Sequence, residues 1–148
     1  IKTVNKSNKN RSKLLLDRVY GILDKRVRNK QITFLGVTFK ANTDDMRDSS
    51  SLTMIPALIK KGAKIKYFDP TGYKKEFSKF KNVHYSSTIK ESIIGSDLVI
   101  IHTEWNDFKS INFKNLIRGK KFIIFDMRNI YSAKKIKNQG FKYYSIGR

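Results

Sequence analysis

Near the start of the chain, apolar residues recur at spacings of three and four. Leu16, Val19, Leu23 and Val27 form one stripe, with Leu15 and Ile22 alongside. That period predicts an amphipathic helix whose outer faces are rich in lysine and arginine. After Lys30 the pattern changes. Residues 32–37 are β-branched, aromatic and aliphatic, which predicts a strand. Similar runs predict strands at 64–68, 83–85, 98–102, 122–125 and 143–146. Helical patterns lie between them at 51–61, 89–95, near 113–117 and at 133–139. Thr88 and Ser132 are placed as N-caps, and Gly62 and Gly140 as stops. Pro56 falls inside the 51–61 helix and should kink it or delay its start. Residues 38–49 are polar and turn-like, and Asp69-Pro70 is a turn pair.

Strands alternating with helices and short loops predict βαβ units and a parallel sheet. The predicted architecture is a three-layer α/β domain over 30–148. Residues 1–29 precede it as an amphipathic connector helix. No internal repeat or low-complexity tract interrupts it. Ligands of such sheets bind beyond the carboxyl ends of the strands. Lys40 and Arg128 fall on that edge, as does Trp105, the single tryptophan. A cation at a strand end beside a helix N-terminus suits a phosphate. Ser49, Ser50 and Ser51 could add hydroxyls and backbone amides there.

Composition narrows the chemistry. The chain has 148 residues, 39% of them hydrophobic and 12% aromatic, enough to fold as one domain. It has no cysteine, which excludes disulfides, thiolate metal sites and a cysteine nucleophile within it. Its two histidines, His84 and His102, make a histidine metal site improbable and read as ordinary sheet residues. No apolar run suits a membrane helix. The polar, basic opening carries no secretion signal, so a cytoplasmic protein is expected. Its first residue is Ile1 rather than Met, as in a processed product or a piece of a longer chain.

The net charge of +20 first suggests nucleic acid. Residues 1–30 alone hold ten basic and two acidic residues, or +8 of the total. However, the 24 lysines accompany 18 isoleucines and 11 asparagines, a joint enrichment that reads as compositional background. No helix-turn-helix, RNA-recognition or zinc-finger pattern is present. Nor is there a Gly-x-Gly-x-x-Gly or P-loop signature, so the chain carries no independent dinucleotide fingerprint.

Residues 35–49, from Leu35-Gly36 through Phe39-Lys40 and Thr43-Asp44-Asp45 to Arg47 and Ser49, follow a specific pattern. It resembles the C-terminal domain of the UDP-glucose/GDP-mannose dehydrogenase family. Three weaker matches follow in order: Tyr67-Phe68-Asp69-Pro70, Thr103-Glu104-Trp105 with Phe108, and Gly140-Phe141 through Ile146-Gly147-Arg148. The Thr-Glu-Trp element is more similar to the UDP-glucose 6-dehydrogenase branch than to the GDP-mannose branch. The resemblance implies a Rossmann-like, UDP-sugar-binding domain. It implies NAD as cofactor, bound mainly by a separate N-terminal domain, and oxidation of UDP-glucose at C6 in two steps. It also implies missing N-terminal and middle domains, the latter carrying the catalytic cysteine, and a homodimer in the intact enzyme. Phe39, Lys40 and Arg128 are expected to contact the nucleotide sugar, and Arg47 to reach the NAD side of the cleft. Many members have proline where this chain has Ser50.

Other readings stay open here. Arg47 could instead pair with a neighbouring aspartate and brace its own loop. Those aspartates suit turns and caps better than acid catalysis. Glu104-Trp105 reads as a packed corner. A UDP-N-acetylhexosamine dehydrogenase is the alternative within the family. Outside it, a noncatalytic basic module binding nucleic acid or a partner protein remains.

Overall fold

Five side chains decide where the first helix lies. Leu15, Leu16, Val19, Leu23 and Val27 are buried, while Leu14, off the stripe, is 67% exposed. The computed structural model describes residues 6–147, so residues 1–5 of the expected connector and Arg148 lie outside the described residues. Helix α1 spans Lys6–Ile22. It ends there because Asp24 and Lys25 turn into the left-handed region, at φ 53° and 62°. Leu15, Leu16 and Val19 bury the helix itself and Leu23 and Val27 the segment just after it, each worth about 2 kcal/mol as an upper estimate. The helix is therefore packed into the body of the fold rather than standing away from it.

The strands are β1 (Gln31–Leu35), β2 (Lys64–Phe68), β3 (Val83–Tyr85), β4 (Leu98–Ile101), β5 (Ile123–Asp126) and β6 (Lys142–Ser145). They form one six-stranded sheet in the order β3-β2-β1-β4-β5-β6, with every pairing parallel. This is the doubly wound order of a Rossmann-like fold, whose direction reverses between β1 and β4. Between the strands come α2 (Ser51–Lys60), α3 (Ile89–Ile93), α4 (Asn106–Lys109), α5 (Phe113–Leu116) and α6 (Ala133–Asn138).

Side chains alternate between the two faces of the sheet. Ile32, Phe34, Ile65, Leu98, Ile100 and Phe125 pack with the apolar residues of α1 and α2. Leu35, Val99, Ile101 and Ile124 pack on the other face with Ile93, Phe108, Phe113 and Ile136. The result is the expected three-layer sandwich.

Local signals held where they were strong. Thr88 and Ser132 accept hydrogen bonds from the backbone N–H of Glu91 and Lys135, as N-caps do. The α4 turn has no apolar period of its own and was not expected. Pro56 lies inside α2 yet does not delay its start at Ser51. Knotted hydroxyls hold that start, as described below.

Candidate functional site

The carboxyl edge of the sheet is built around the end of β1. Gly36 turns the chain at φ 80°, and a Cβ there would sit 2.6 Å from the side chain of Thr103. Only glycine satisfies both conditions. The next residue is tethered: the Val37 N–H donates to Asp69 Oδ2 at 2.8 Å. The other carboxylate oxygen of Asp69 accepts from the backbone and hydroxyl of Thr71. Asp69 of the turn pair is thus a buried brace between two strand ends, not an acid.

The loop from Thr38 to Asp48 is knit by short bonds. The Phe39 N–H donates to the Asp45 carbonyl at 2.9 Å, and the Thr38 hydroxyl donates to the Lys40 carbonyl at 3.0 Å. Phe39 is left 42% exposed, with the exposed Lys40 beside it. Arg128 reaches over from the end of β5. Its Nε donates to the His102 carbonyl at 3.0 Å and its Nη2 to the Phe39 carbonyl at 3.4 Å. Burial lowers the Arg128 pKa; Glu104 offsets this and the charge of Arg11 adds to it. A guanidinium nevertheless stays protonated in proteins.

These residues line one cavity of about 400 Å³, together with Arg11 and Ser12 of α1, Asp48 and Ser50. Somewhat larger cavities lie elsewhere, one of about 560 Å³ between α1 and Tyr144 and one of about 430 Å³ beside Lys90 and Leu116. Placement singles out the first. It sits at the strand ends next to the reversal point, and cations from three separate segments converge on it.

The structure therefore brings Phe39, Lys40 and Arg128 together and leaves Arg47 out. Arg47 is 77% exposed and pairs with Asp45 through both Nε and Nη2, at 3.0 Å each. Bracing of its own loop is what the geometry shows. Of the three serines expected at the helix start, only Ser50 reaches the cavity. Ser49 and Ser51 are buried, and both donate to the Val37 carbonyl at 2.6 Å. Ser49 Oγ also accepts the Ser51 N–H. That knot anchors α2 and uses up groups that a ligand would need.

His102 is more than an ordinary sheet residue. It is buried beneath the cavity, with Nε2 2.8 Å from Ser50 Oγ and Nδ1 3.1 Å from Thr103 Oγ1. The Thr103 hydroxyl donates to the Thr38 carbonyl, so its oxygen is the acceptor for Nδ1–H. Nε2 then accepts from Ser50. Burial, reinforced by Arg128 and Arg11, holds the imidazole pKa down to about 3. So weak a base does not activate Ser50 as a nucleophile. The pair positions Ser50 rather than performing chemistry.

Trp105 is buried against the second face, as a packed corner should be. Its Nε1–H has no acceptor among the described residues. Asp126 is also buried and accepts from the Arg128 and Tyr131 backbone and from the Tyr143 hydroxyl at 2.6 Å. It is a structural hub that sets the direction in which Arg128 leaves β5. Among the described residues, no cluster of three His, Asp or Glu side chains could hold a metal, and no helix is long and apolar enough to cross a membrane. Sequence reasoning missed Arg11, Ser12 and the Ser50–His102 pair. Nothing in the pattern separates Arg11 from the other basic residues of its helix.

The sequence model described as "UDP-glucose/GDP-mannose dehydrogenase family, UDP binding domain" matches residues 33–133, a span that includes Phe39, Lys40, Arg47 and Arg128. The chain belongs to the UDP-glucose/GDP-mannose dehydrogenase family. Within that family, UDP-glucose 6-dehydrogenase of Rickettsia felis is 37% identical over 150 residues, covering 99% of this chain and 34% of the relative. UDP-glucose 6-dehydrogenase YwqF of Bacillus subtilis is 36% identical over 152 residues, covering 100% and 34%. The chain thus spans about a third of the length of these relatives. Solved structures agree in fold. A UDP-glucose dehydrogenase from Pyrobaculum islandicum superposes with a TM-score of 0.73 at 22% identity, over 92% of this chain and 29% of that one. An NDP-N-acetyl-D-galactosaminuronic acid dehydrogenase from Methanosarcina mazei gives 0.74 at 22% identity, over 94% and 29%.

Proposed function

We propose that this family member is the UDP-sugar-binding domain of an NAD-dependent UDP-glucose 6-dehydrogenase, which oxidises UDP-glucose to UDP-glucuronate. The observation that carries the reading is the convergence of Lys40, Arg128 and the exposed ring of Phe39 on one cavity at the carboxyl edge. Lys40 contributes a point charge to the diphosphate, and Arg128 a planar fork that can bind two of its oxygens. Phe39 offers a flat apolar surface beside them. The carbonyl contacts of Arg128 hold its guanidinium in place before any ligand arrives, which limits the entropy lost on binding.

Nothing in the turn after β1 favours NAD on this domain by itself. The turn after β1 has a single glycine, and its Cβ position is blocked by Thr103 rather than open to a pyrophosphate. When bound, NAD supplies the hydride acceptor; we place it on another part of a longer, dimeric, cytoplasmic protein, with Arg47 toward that side. The nucleophile also belongs elsewhere, because this chain has no cysteine. A UDP-N-acetylhexosamine substrate is the second reading. It is favoured by a UDP-D-ManNAc dehydrogenase from Pyrococcus horikoshii that superposes at 25% identity with a TM-score of 0.67.

Titration of the isolated chain with UDP tests the proposal. Saturable binding that weakens in Lys40→Ala, with no NADH formed from UDP-glucose and NAD, is the expected result. Tight binding of duplex DNA at moderate salt, with no response to UDP, would instead establish the basic-module reading.

A further inference from the structure

Helix α1 enters the fold as a connector by sequence, yet it supplies part of the cavity wall. Arg11 and Ser12 face the same space as Lys40 and Arg128. Arg11 is exposed and forms no ion pair among the described residues. Its charge reaches both His102 and Arg128, so it stands in the same electrostatic neighbourhood. Bringing a third cation beside two others is unfavourable unless an anion joins them. Asp48 is the acidic residue on the cavity wall, and it closes no ion pair with any of the three. The diphosphate bridge of a nucleotide sugar carries about two negative charges, and free UDP about three, spread over oxygens that face several directions.

We infer that Arg11 is a ligand-binding residue, the third cation of the diphosphate site, so that the site is shared between α1 and the sheet domain. The inference rests on the UDP-sugar reading of the cavity and deepens it. Ser12, one residue on, is buried and lines the same cavity. Arg128 and Lys40 approach from the loops after β5 and β1, and Arg11 from the helix that covers them. A diphosphate seated there is held from three directions, which suits an anion with oxygens on all sides. The domain boundary drawn at residues 29 and 30 would then cut through the site.

The test is a UDP titration of the full 148-residue chain, with Arg11→Ala, Arg11→Lys, Lys40→Ala and Arg118→Ala. Arg118 lines a cavity at the opposite edge of the sheet and controls for diffuse charge. Arg11→Ala should weaken UDP about tenfold. Uridine affinity and the melting midpoint should not move, because the side chain is exposed and acts on the phosphates. Arg11→Lys should recover part of the loss. If Arg11→Ala binds UDP like the parent while Lys40→Ala is weakened, the role of α1 falls and the site reading stands. If Arg118→Ala loses as much as Arg11→Ala, the effect is overall charge and the inference fails. If the parent ignores UDP, or Lys40→Ala is unaffected, both readings fail together.

Discussion

The two edges of the sheet carry similar cavities and similar charge, and they differ in where that charge lies relative to the ends of the strands. At the amino edge, Lys120 closes an ion pair with Asp97 at 2.5 Å, and Asp97 also accepts the Gln31 N–H at 2.8 Å. Lys121 donates to the Gln139 carbonyl and Lys66 to the Glu91 carbonyl. Lys120, Lys121 and Lys66 are thus committed to the protein itself, while Lys90 and Arg118 of that cavity wall close no ion pair among the described residues. At the carboxyl edge, Lys40, Arg11 and Arg128 form no ion pair among the described residues. The cavities are about 430 and 400 Å³, so volume does not separate them. A net charge of +20 spreads over the whole surface; the carboxyl edge is marked by its place at the strand ends beside the reversal between β1 and β4, where cations from three separate segments converge.

Three measurements would break or sharpen that contrast. The largest effect is expected from Arg128→Ala, which should weaken UDP about thirtyfold, or about 2 kcal/mol. The matching change at the other edge, Lys120→Ala, should leave UDP affinity unaltered. Equal losses in a calorimetric titration would erase the distinction between the edges.

The second expectation concerns pH. His102 is held down to about 3 in the folded chain, against about 6.5 when unfolded. Between those values the unfolded chain binds the extra proton. Its share of stability is therefore fully present above pH about 6.5 and is lost as pH falls toward 3, at up to about 1.4 kcal/mol per pH unit. Urea unfolding of the parent and of His102→Gln across this range checks it. The variant should lack that share of the slope; an unchanged slope would mean that the imidazole is not sequestered beneath the cavity.

The smallest effect lies at the amino edge. Burial raises the Asp97 pKa, but bonds from Lys120 and the Gln31 N–H more than compensate, and the net shift is downward. Its contribution is present above the unfolded value and fades as pH falls through the folded one. Asp97→Asn should cost about 1 kcal/mol of stability and leave UDP binding alone. A change in UDP affinity would show that the two edges are coupled.

Much of the fold was legible because its signals are local. Runs of β-branched, aromatic and aliphatic residues marked all six strands, Thr88 and Ser132 announced their helices, and Gly62 and Gly140 ended theirs. Inner boundaries moved by a residue or two; the 32–37 run became Gln31–Leu35 because Gly36 leaves the sheet at a positive φ, while the connector helix expected to carry Leu23 and Val27 already stops at Ile22. The α4 turn was missed because Phe108 is its single apolar residue, whereas Phe113 and Leu116 of the equally short α5 sit three apart. For the site, Lys40 and Arg128 were readable from their places after β1 and β5. Ser49 and Ser51 were misread, because their identity does not reveal that the Val37 carbonyl takes both hydroxyls.

By itself, the sequence determined the parallel α/β class, the family resemblance, the absence of a thiol and two of the cavity's cations. Those follow from residue type and spacing along the chain. The tertiary structure alone decided that α1 packs into the core, that Arg11 turns toward Lys40 and Arg128, and that His102 and Ser50 meet across 52 residues. Contacts between segments far apart in the chain depend on how the helices lie against the sheet. That placement is set by packing of the whole core, which no local pattern encodes.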